Sequence, residues 1–248
     1  MFLAVNIGNS KINFAVFCKD KIIKTFSIDS DKNKNAYFYQ TALTNEFYNY
    51  DISSCGIISV VNDLDKAIKP VCDKIFDINS VILSYKSADT VSINTNHPET
   101  VGMDRLANVY AVSDSLLPAI VVDIGTAVTF DILSKEKVFL GGIIMPGVNM
   151  SLRGLHEGTS KLPEIEPKEP LKAIGNTTET CILSGVIRGT ASAIDGLLEQ
   201  CTEELGECET VILTGGQAEL VSKYMHTKYP IDKDLTLKGI KKIYDLSC

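Results

Sequence analysis

Short runs of apolar residues, separated by tight polar turns, dominate the first half of the chain. Alternating apolar and polar positions predict strands, and apolar residues at helical spacing predict helices packed on them. The elements predicted for this half are strands over 2–5, 11–17, 21–28, 55–61 and 80–83 and helices over 36–50 and 64–76. Their order, β-β-β-α-β-α-β, is typical of a mixed α/β fold.

The second half repeats this plan after a polar stretch over 84–96 and one further helix. Leu117-Pro118 is interpreted as the link, which gives predicted domains at 1–116 and 117–248. The elements predicted for the second half are strands over 119–123, 127–133, 138–144 and 211–214, helices over 148–155, 178–204, 218–224 and 234–244, and a long loop over 162–176. Long ordered loops in compact domains are often functional.

The most informative stretch is an apolar run over 120–122 that leads into Asp123, Ile124, Gly125 and Thr126. The β-branched run predicts a buried strand, and the polar residues after it predict a tight hairpin. A glycine at the tip lets backbone N–H groups approach a phosphate closely; the hydroxyl can donate to phosphate, and the carboxylate can hold a cation. The alternative is an ordinary hairpin in which these residues only close the turn.

A second copy of this pattern lies near the start of the chain, where a strand leads into Asn6, Ile7, Gly8, Asn9 and Ser10. Two such hairpins, about half a chain apart, indicate two similar halves that face each other. Actin-like ATPases and sugar kinases bind a nucleotide in such a cleft, with one phosphate-binding hairpin from each half. The predicted fold class is therefore α/β, with two actin-like (ribonuclease-H-like) lobes, each a mixed β-sheet with flanking helices, and a cleft between them.

A candidate catalytic pair, Asp104 and Arg105, lies in the first turns of a helix that Pro98 and Glu99 are predicted to begin. In a cleft, such a carboxylate can act as a base beside a guanidinium that binds an anion. The alternative is a local ion pair, although adjacent residues do not face each other well on a helix.

Composition narrows the possible function classes. The 248 residues carry a net charge of −7, with 45% hydrophobic and 22% charged residues, which is typical of a globular protein and argues against a non-specific nucleic-acid binder. No signal peptide is visible and no apolar run approaches the roughly 20 residues of a membrane span, so a cytoplasmic protein is expected. The cysteines form no CxxC pair and are interpreted as reduced thiols. They are Cys18, Cys55, Cys72, Cys181, Cys201, Cys208 and Cys248.

Ten short motifs follow one another along the chain in an informative order. The longest are Pro-x-x-Val-Gly-Met-Asp-Arg over 98–105, Asp-Ile-Gly-Thr-Ala-Val-Thr over 123–129, and Asn-Ile-Gly-Asn-Ser over 6–10. The others lie at 59–61, 141–147, 162–163, 175–178, 184–185, 214–216 and 235–239. In these motifs and their spacing the chain resembles the type III pantothenate kinases of the actin and sugar-kinase superfamily. Each motif alone is weak, whereas ten in the family's order are specific.

The resemblance implies a homodimeric kinase that transfers a phosphoryl group from ATP to pantothenate, the first step towards coenzyme A. Its cofactors would be ATP, Mg²⁺ and a monovalent cation, K⁺ or NH₄⁺. Asp104 would take the proton from the pantothenate hydroxyl, and Asp123 would hold the monovalent cation. The residues implied for ATP are Asn6, Ile7, Gly8, Asn9, Ser10, Lys11, Ile12, Asn13 and Thr126. Those implied for pantothenate are Thr95, Gly102, Met103, Asp104 and Arg105, together with Thr178 from a partner subunit.

Two departures from the family pattern keep alternatives open. Asn6 stands where the family's first motif has an aspartate, so a charged oxygen ligand beside Mg²⁺ is lost. Thr95 stands where the family has a tyrosine that contacts the substrate. Asn6 favours a non-catalytic or regulatory relative as one alternative, and Thr95 favours a kinase for another small hydroxyl substrate as the other.

Overall fold

The computed structural model describes residues 1–31, 33–61 and 63–247. The chain forms two compact units, the first made of Met1–Ser113 and Asp234–Cys248 and the second of Asp114–Lys233. The strands of the first unit are β1 (Phe2–Ile7), β2 (Lys11–Cys18), β3 (Lys21–Asp29), β4 (Ser54–Ser59), β5 (Val81–Ile82) and β6 (Ser92–Ile93). Its helices are α1 (Ala36–Phe47), α2 (Leu64–Phe76), α3 (Met103–Val112) and, at the end of the chain, α8 (Leu235–Ser247).

The sheet of the first unit has the strand order β3-β2-β1-β4-β5. Its central strand, β1, is antiparallel to β2 and parallel to β4, so β1 has neighbours on both edges and is buried along nearly all its length. Side chains from β1 and β2 form one core with Leu43 and Phe47 of α1 and Ile68 of α2. This core fixes the direction in which β1 and β2 present the turn between them.

The last helix packs in the first unit, whereas the division of the sequence at 116/117 placed it with the second half. Gly239 lets α8 approach α3 closely, because a Cβ there would lie 2.5 Å from the carbonyl carbon of Ala107. Thr236 Oγ1 also donates to Asn108 Oδ1 at 2.8 Å. The first unit is therefore completed by a segment from the far end of the chain.

The second unit repeats the plan of the first. Its strands are β7 (Ala119–Ile124), β8 (Ala127–Leu133), β9 (Val138–Pro146) and β10 (Thr210–Thr214), and its helices are α4 (Val148–Glu157), α5 (Thr178–Leu183), α6 (Gly189–Leu205) and α7 (Ala218–Ser222). Its strands lie in the order β10-β7-β8-β9, with β7 antiparallel to β8 and parallel to β10. Thus β7, β8, β9 and β10 correspond to β1, β2, β3 and β4, which confirms the predicted fold class of two similar α/β halves.

The helix predicted over 178–204 is one helical stretch that contains a π-helical segment, Ser184–Arg188, between α5 and α6. By length and composition alone, the 28 residues Thr178–Leu205 are long and apolar enough to cross a membrane, which corrects the expectation that no stretch approaches that length. In the structure this helix contributes Leu183, Ile187 and Ile194 to the core of the second unit. Packing in that core accounts for its apolar composition.

Other sequence expectations need smaller corrections. Pro98 begins a short 3₁₀ turn, Pro98–Thr100, rather than the helix itself; α3 starts at Met103. The six cysteines that the structure describes are free thiols, and Cys55, Cys72 and Cys201 are buried. Cys248 lies outside the described residues.

Candidate active site

The hairpin between β7 and β8 presents the aspartate, glycine and threonine that the sequence singled out. Ile124 pairs with Val128, and Gly125 donates its N–H to the carbonyl oxygen of Ala127 at 3.0 Å. Thr126 is exposed at the tip, whereas Asp123, two residues before the glycine, is partly buried. The local pattern therefore folds as a tight turn with its hydroxyl facing outward and its carboxylate drawn in.

Two glycine turns hold the Asp123 carboxylate. A Cβ added to Gly125 would lie 3.2 Å from Asp123 Oδ1, and one added to Gly215 would collide with the same oxygen and lie 2.6 Å from the carbonyl carbon of Ile124. Gly215 follows β10 and has a φ of +93°, a backbone conformation that favours glycine. Any side chain at position 215 would displace the carboxylate or the β7 backbone.

The N-terminus of α4 lies against the tip of the same hairpin. Gly147, the N-cap residue of α4, donates its N–H to the carbonyl oxygen of Thr126 at 3.2 Å. A Cβ at position 147 would lie 2.5 Å from that oxygen and would also collide with the carbonyl oxygen of Gly125. The positive end of the α4 dipole is therefore close to the tip, where it favours an anion such as phosphate.

Asp123 shares the sheet face opposite the core of the second unit with Thr129, Asp131 and Thr214, and Thr129 Oγ1 donates to Asp131 Oδ2 at 3.5 Å. Asp123 is paired with Thr129 of β8 on one side and with Thr214 of β10 on the other, and residues paired in register share a face. Thr214 is only 1% exposed, and none of the described residues forms a hydrogen bond with its Oγ1. Two hydroxyl oxygens thus flank the Asp123 carboxylate, a set of oxygen donors suited to a hard cation.

The hairpin between β1 and β2 is the counterpart in the first unit. Gly8 donates its N–H to the carbonyl oxygen of Lys11 at 3.0 Å, and Ser30, just after β3, donates its Oγ to the carbonyl oxygen of Gly8 at 2.5 Å. The side chains of Asn9, Ser10 and Lys11 are exposed at the tip. The turn is braced, and its polar residues point outward.

Side chains along this first hairpin alternate between core and surface. Ile7 and Ile12 are fully buried, so any contact that they make with a nucleotide runs through the backbone. On the other face Asn6 is paired with Asn13, whose Oδ1 accepts from Ser27 Oγ at 2.9 Å. Within residues 1–31, 33–61 and 63–247 the buried Oδ1 of Asn6 has no hydrogen-bond partner, which is unfavourable unless a ligand, ion or water supplies one.

The Asp104 carboxylate lies at the start of α3 and folds back over the helix N-terminus. Its Oδ1 accepts the N–H of Arg105 at 2.9 Å, and a Cβ on Gly102 would lie 2.5 Å from the same oxygen. Burial raises the pKa of the Asp104 carboxyl above that of an ordinary aspartate, although the Arg105 N–H and guanidinium charge act in the opposite direction. A partly buried carboxyl with a raised pKa suits a general base.

The remaining predicted residues occupy two places. In the first unit, Met103 is the first residue of α3, and Thr95 carries a buried Oγ1 with no hydrogen-bond partner. In the second unit, Thr178 is the exposed first residue of α5, next to a capping box formed by Thr177 and Thr180.

Sequence reasoning gave no role to three residues that shape the site in the second unit: Gly147, Thr214 and Gly215. The signals were present, since a glycine directly after a strand or helix-start proline marks a close backbone approach. What those glycines approach could not be read locally, because their neighbours at residues 123–126 lie about 20 and 90 positions away along the chain.

Two solved structures have folds similar to that of this chain. One is a ROK family glucokinase from Streptomyces griseus in complex with glucose and AMPPNP, with a TM-score of 0.55 at 12% identity. The alignment covers 96% of this chain and 97% of the glucokinase chain. A Campylobacter jejuni protein described as a conserved Baf family transcriptional activator has a TM-score of 0.62 at 23% identity, covering 98% of this chain and 97% of its own. At these identities the likeness establishes the fold alone.

Sequence comparison is more specific. The family model for type III pantothenate kinase matches residues 2–200. The type III pantothenate kinase of Paramagnetospirillum magneticum is 35% identical over 251 residues, which cover 98% of this chain and 96% of the relative. That of Persephonella marina is 33% identical over 254 residues, covering 98% of each chain. The chain belongs to the type III pantothenate kinase family.

Proposed function

We propose that this protein phosphorylates pantothenate with ATP and so forms 4′-phosphopantothenate, the first step of coenzyme A biosynthesis. The observation that carries the proposal is the end-to-end match to type III pantothenate kinases. The geometry of both hairpins and of Asp104 supports it, because each supplies a part that phosphoryl transfer needs: donors for phosphate oxygens, an oxygen site for a cation, and a base.

Asp104 acts as the general base in this proposal. Its carboxylate takes the proton of the pantothenate hydroxyl as the hydroxyl oxygen bonds to the γ-phosphorus of ATP; the bond from that phosphorus to the bridging oxygen breaks, and ADP leaves with the electron pair. The raised pKa of Asp104 brings the carboxyl closer to the working pH, which favours proton acceptance. Gly102 leaves room for the carboxylate, and Arg105 places a positive charge beside it.

The nucleotide phosphates are bound in this proposal by residues 6–13 and Thr126. Mg²⁺, when bound, neutralises charge on the transferring phosphoryl group. The unpartnered, uncharged Oδ1 of Asn6 fits an oxygen donor to that ion or to its water. Among the described residues no three His, Cys, Asp or Glu side chains form a ready metal cage, which suits an ion bound largely through phosphates and water.

Asp123 holds the monovalent cation, K⁺ or NH₄⁺, in this proposal. The donor set fits such an ion, because the carboxylate lies between the hydroxyls of Thr129 and Thr214 and one of these hydroxyls is buried without a partner. The ion would supply positive charge near the hairpin tip in an acidic protein.

Pantothenate contacts Gly102, Met103, Arg105 and Thr95 of one subunit and Thr178 of its partner in this proposal. Because Thr178 comes from the partner subunit, this assignment requires a homodimer. We place that homodimer in the cytoplasm. Thr178 supports this assignment because it is exposed at the first turn of a helix, where its side chain is accessible to a neighbouring chain.

The decisive experiment measures ADP and 4′-phosphopantothenate formation by the purified full-length protein with ATP, Mg²⁺, K⁺ and pantothenate. We expect turnover that requires pantothenate and falls by about 10²- to 10⁴-fold in Asp104→Asn, the usual contribution of a general base. An exposed aspartate in the β2–β3 turn provides the matched control, Asp20→Asn, which should leave turnover unchanged.

Two outcomes would overturn the proposal in different ways. Absence of turnover that Asn6→Asp restores would indicate a relative that has lost catalysis through that residue. Turnover of ATP with another small alcohol but not with pantothenate would indicate a different substrate, with Thr95 as the first residue to examine.

A further inference from the structure

A long segment without regular secondary structure, residues 159–176, connects α4 to α5 in the second unit. We refer to it as the strap. Two of its side chains, Leu171 and Ile174, are 96% and 87% exposed. Pro170, the residue before Leu171, is buried, so the exposed part of the strap after it depends on specific polar contacts for its course.

The π-helical segment Ser184–Arg188 holds the strap at two points. Ser184 Oγ donates to the carbonyl oxygen of Ala173 at 2.5 Å, and Arg188 Nη2 donates to the carbonyl oxygen of Pro170 at 3.4 Å. Meanwhile Ile187 points into the core. A π-helical turn is rare and often occurs at functional sites. Here it carries Ser184 and Arg188, the residues that make these two hydrogen bonds with the strap.

Two residues that directly follow α7, Lys223 and Tyr224, contact the same part of the strap. Tyr224 donates its hydroxyl to the carbonyl oxygen of Pro170 at 3.1 Å, so this one oxygen has two donors. The guanidinium carbon of Arg188 lies 4.4 Å from the centre of the Tyr224 ring, a cation–π contact. Lys223 forms an ion pair with Glu169, the residue before Pro170. Pro170 is thus one of the points at which the strap is fixed, together with Ala173 and the ion pair of Lys168 with Glu179.

The far end of the strap is joined to the first turn of α5. Asn176 and Thr177 donate their backbone N–H groups to Thr180 Oγ1 at 3.1 and 3.0 Å. Gly175 lies directly on this turn, because a Cβ there would be 2.5 Å from the carbonyl carbon of Thr180. Thr178 is the first residue of that turn, so its position follows the position of the strap.

We propose that Arg188 is a positioning residue for pantothenate binding: with Tyr224 it fixes Pro170 of the strap and thereby sets the position of Thr178. This inference rests on the proposed function, in which Thr178 contacts pantothenate. It assigns a role to Arg188 through the strap carbonyl oxygen that its side chain contacts.

The Nε atom of Arg188 argues against a purely structural role for this side chain. Its buried Nε has no hydrogen-bond partner in the described part of the chain, and an unpartnered buried donor is unfavourable for stability. An apolar residue of similar length would fill the same space without that penalty. Arg188→Met should therefore change the melting temperature little while it removes one of the two donors to the carbonyl oxygen of Pro170.

The experiment compares steady-state kinetics of wild type with Arg188→Met, Arg188→Lys and Tyr224→Phe. We expect Arg188→Met to raise KM for pantothenate by about 2- to 10-fold, the range for one lost hydrogen bond, with kcat and KM for ATP unchanged. Tyr224→Phe keeps the ring and should give a smaller rise, and Arg188→Lys should restore part of the affinity. The matched control is Arg153→Met, an exposed arginine of α4 that pairs with Glu157, which should change nothing.

A double-mutant cycle separates positioning from general packing. If Arg188 acts through Thr178, then Arg188→Met combined with Thr178→Ala should raise KM for pantothenate no more than Thr178→Ala alone. Hydrogen exchange should be faster over residues 168–176 in Arg188→Met without any pantothenate present. These two results together would support the proposal.

Three results would overturn it. They are additive effects in the cycle, an equal fall in every kinetic constant together with the melting temperature, or a Thr178→Ala variant that binds pantothenate normally. Each can occur while wild-type protein phosphorylates pantothenate at full rate, so failure of this inference is distinguishable from failure of the proposed function.

Discussion

The two hairpins occupy equivalent places in their units but differ in charge. Asn6 of β1 and Asp123 of β7 both lie two residues before the turn glycine, and their partners across the hairpin are Asn13 and Thr129. Their partners on the parallel strand differ as well, Ile58 for Asn6 and Thr214 for Asp123. The same backbone plan thus carries a neutral amide pair in the first unit and a carboxylate between two hydroxyls in the second.

The hairpins also differ in how tightly their surroundings enclose them. The second is enclosed by backbone, because Gly147 lies against its tip and Gly215 against its carboxylate. The tip of the first is braced from outside by Ser30, and a Cβ on Gly8 would meet only the Lys11 carbonyl oxygen at 3.1 Å. One topology therefore supports a hairpin with an open tip, suited to phosphate oxygens, and a hairpin enclosed by backbone around a carboxylate, suited to a cation.

The largest expected effect tests this difference in enclosure. Gly147→Ala should destabilise the protein by about 1–3 kcal/mol or more, the range for overpacking, because the backbone of residues 125–126 must move. Thermal melting and turnover measure the loss, and we expect activity to fall at least tenfold, since the phosphate-binding tip is displaced.

Gly8→Ala, at the turn of the first hairpin, is the contrasting change. Its new Cβ needs a shift of only a few tenths of an ångström, so we expect a much smaller change in both melting temperature and turnover. Equal losses in the two variants would contradict the difference in enclosure.

The next prediction removes the difference in charge. Asn6→Asp makes the first hairpin resemble the second by adding a carboxylate oxygen where a neutral, unpartnered oxygen lies. Since hydrogen bonds and contacts to charged groups are stronger by about 1 kcal/mol, the Mg²⁺ concentration for half-maximal turnover should fall by roughly fivefold. Titration of turnover with Mg²⁺ measures this, and Asn13→Asp on the paired strand tests whether position matters. An unchanged Mg²⁺ dependence in Asn6→Asp would mean that Asn6 does not face the ion.

A smaller effect is expected from Thr214→Val, which removes one buried hydroxyl beside Asp123 and keeps the side-chain shape. The K⁺ concentration for half-maximal activation should rise by about 2- to 10-fold, the range for one lost polar contact. Because Thr214 Oγ1 has no hydrogen-bond partner among the residues that the structure describes, the melting temperature without K⁺ should not fall. Thr210→Val at the other end of β10 is the control. If Thr214→Val lowered the stability without changing the K⁺ dependence, that result would contradict the assignment.

The sequence predicted the hairpins well because their signals are local. A strand, a polar residue, a glycine and a hydroxyl lie within six positions, and the strand pairing follows from the alternation of apolar residues such as Ile7 and Ile12. The start of α3 was predicted less well. Pro98 does begin a helical turn, but Val101 adopts an extended conformation, with φ −69° and ψ 127°, and stops it.

Features that depend on distant residues could not be predicted. The packing of α8 on α3 depends on contact between Gly239 and Ala107, which no local pattern reveals. In the same way Gly215 is a turn signal in the sequence, and only the pairing of β10 with β7 brings it to Asp123. Tertiary contacts of this kind decide which turns become part of a site.

The smallest expected effect concerns stability rather than rate. It extends the comparison to Asp104, a carboxylate of the first unit that lies outside the hairpin. Burial raises the pKa of Asp104 in the folded protein. At pH values between the unfolded-state pKa and the folded-state pKa, the carboxyl is therefore protonated to a greater extent in the folded protein than in the unfolded chain. The free energy of unfolding falls as the pH rises through this range and stays lower above it. Asp104→Asn avoids the buried charge and should melt at a higher temperature than wild type at neutral pH, with the difference shrinking as the pH approaches the ordinary aspartate pKa of about 4. Asp20→Asn, in an exposed turn, should show no such pH-dependent difference. An Asp104→Asn variant that melts lower than wild type at neutral pH would mean that the contact of the carboxylate with the Arg105 N–H outweighs the effect of its burial.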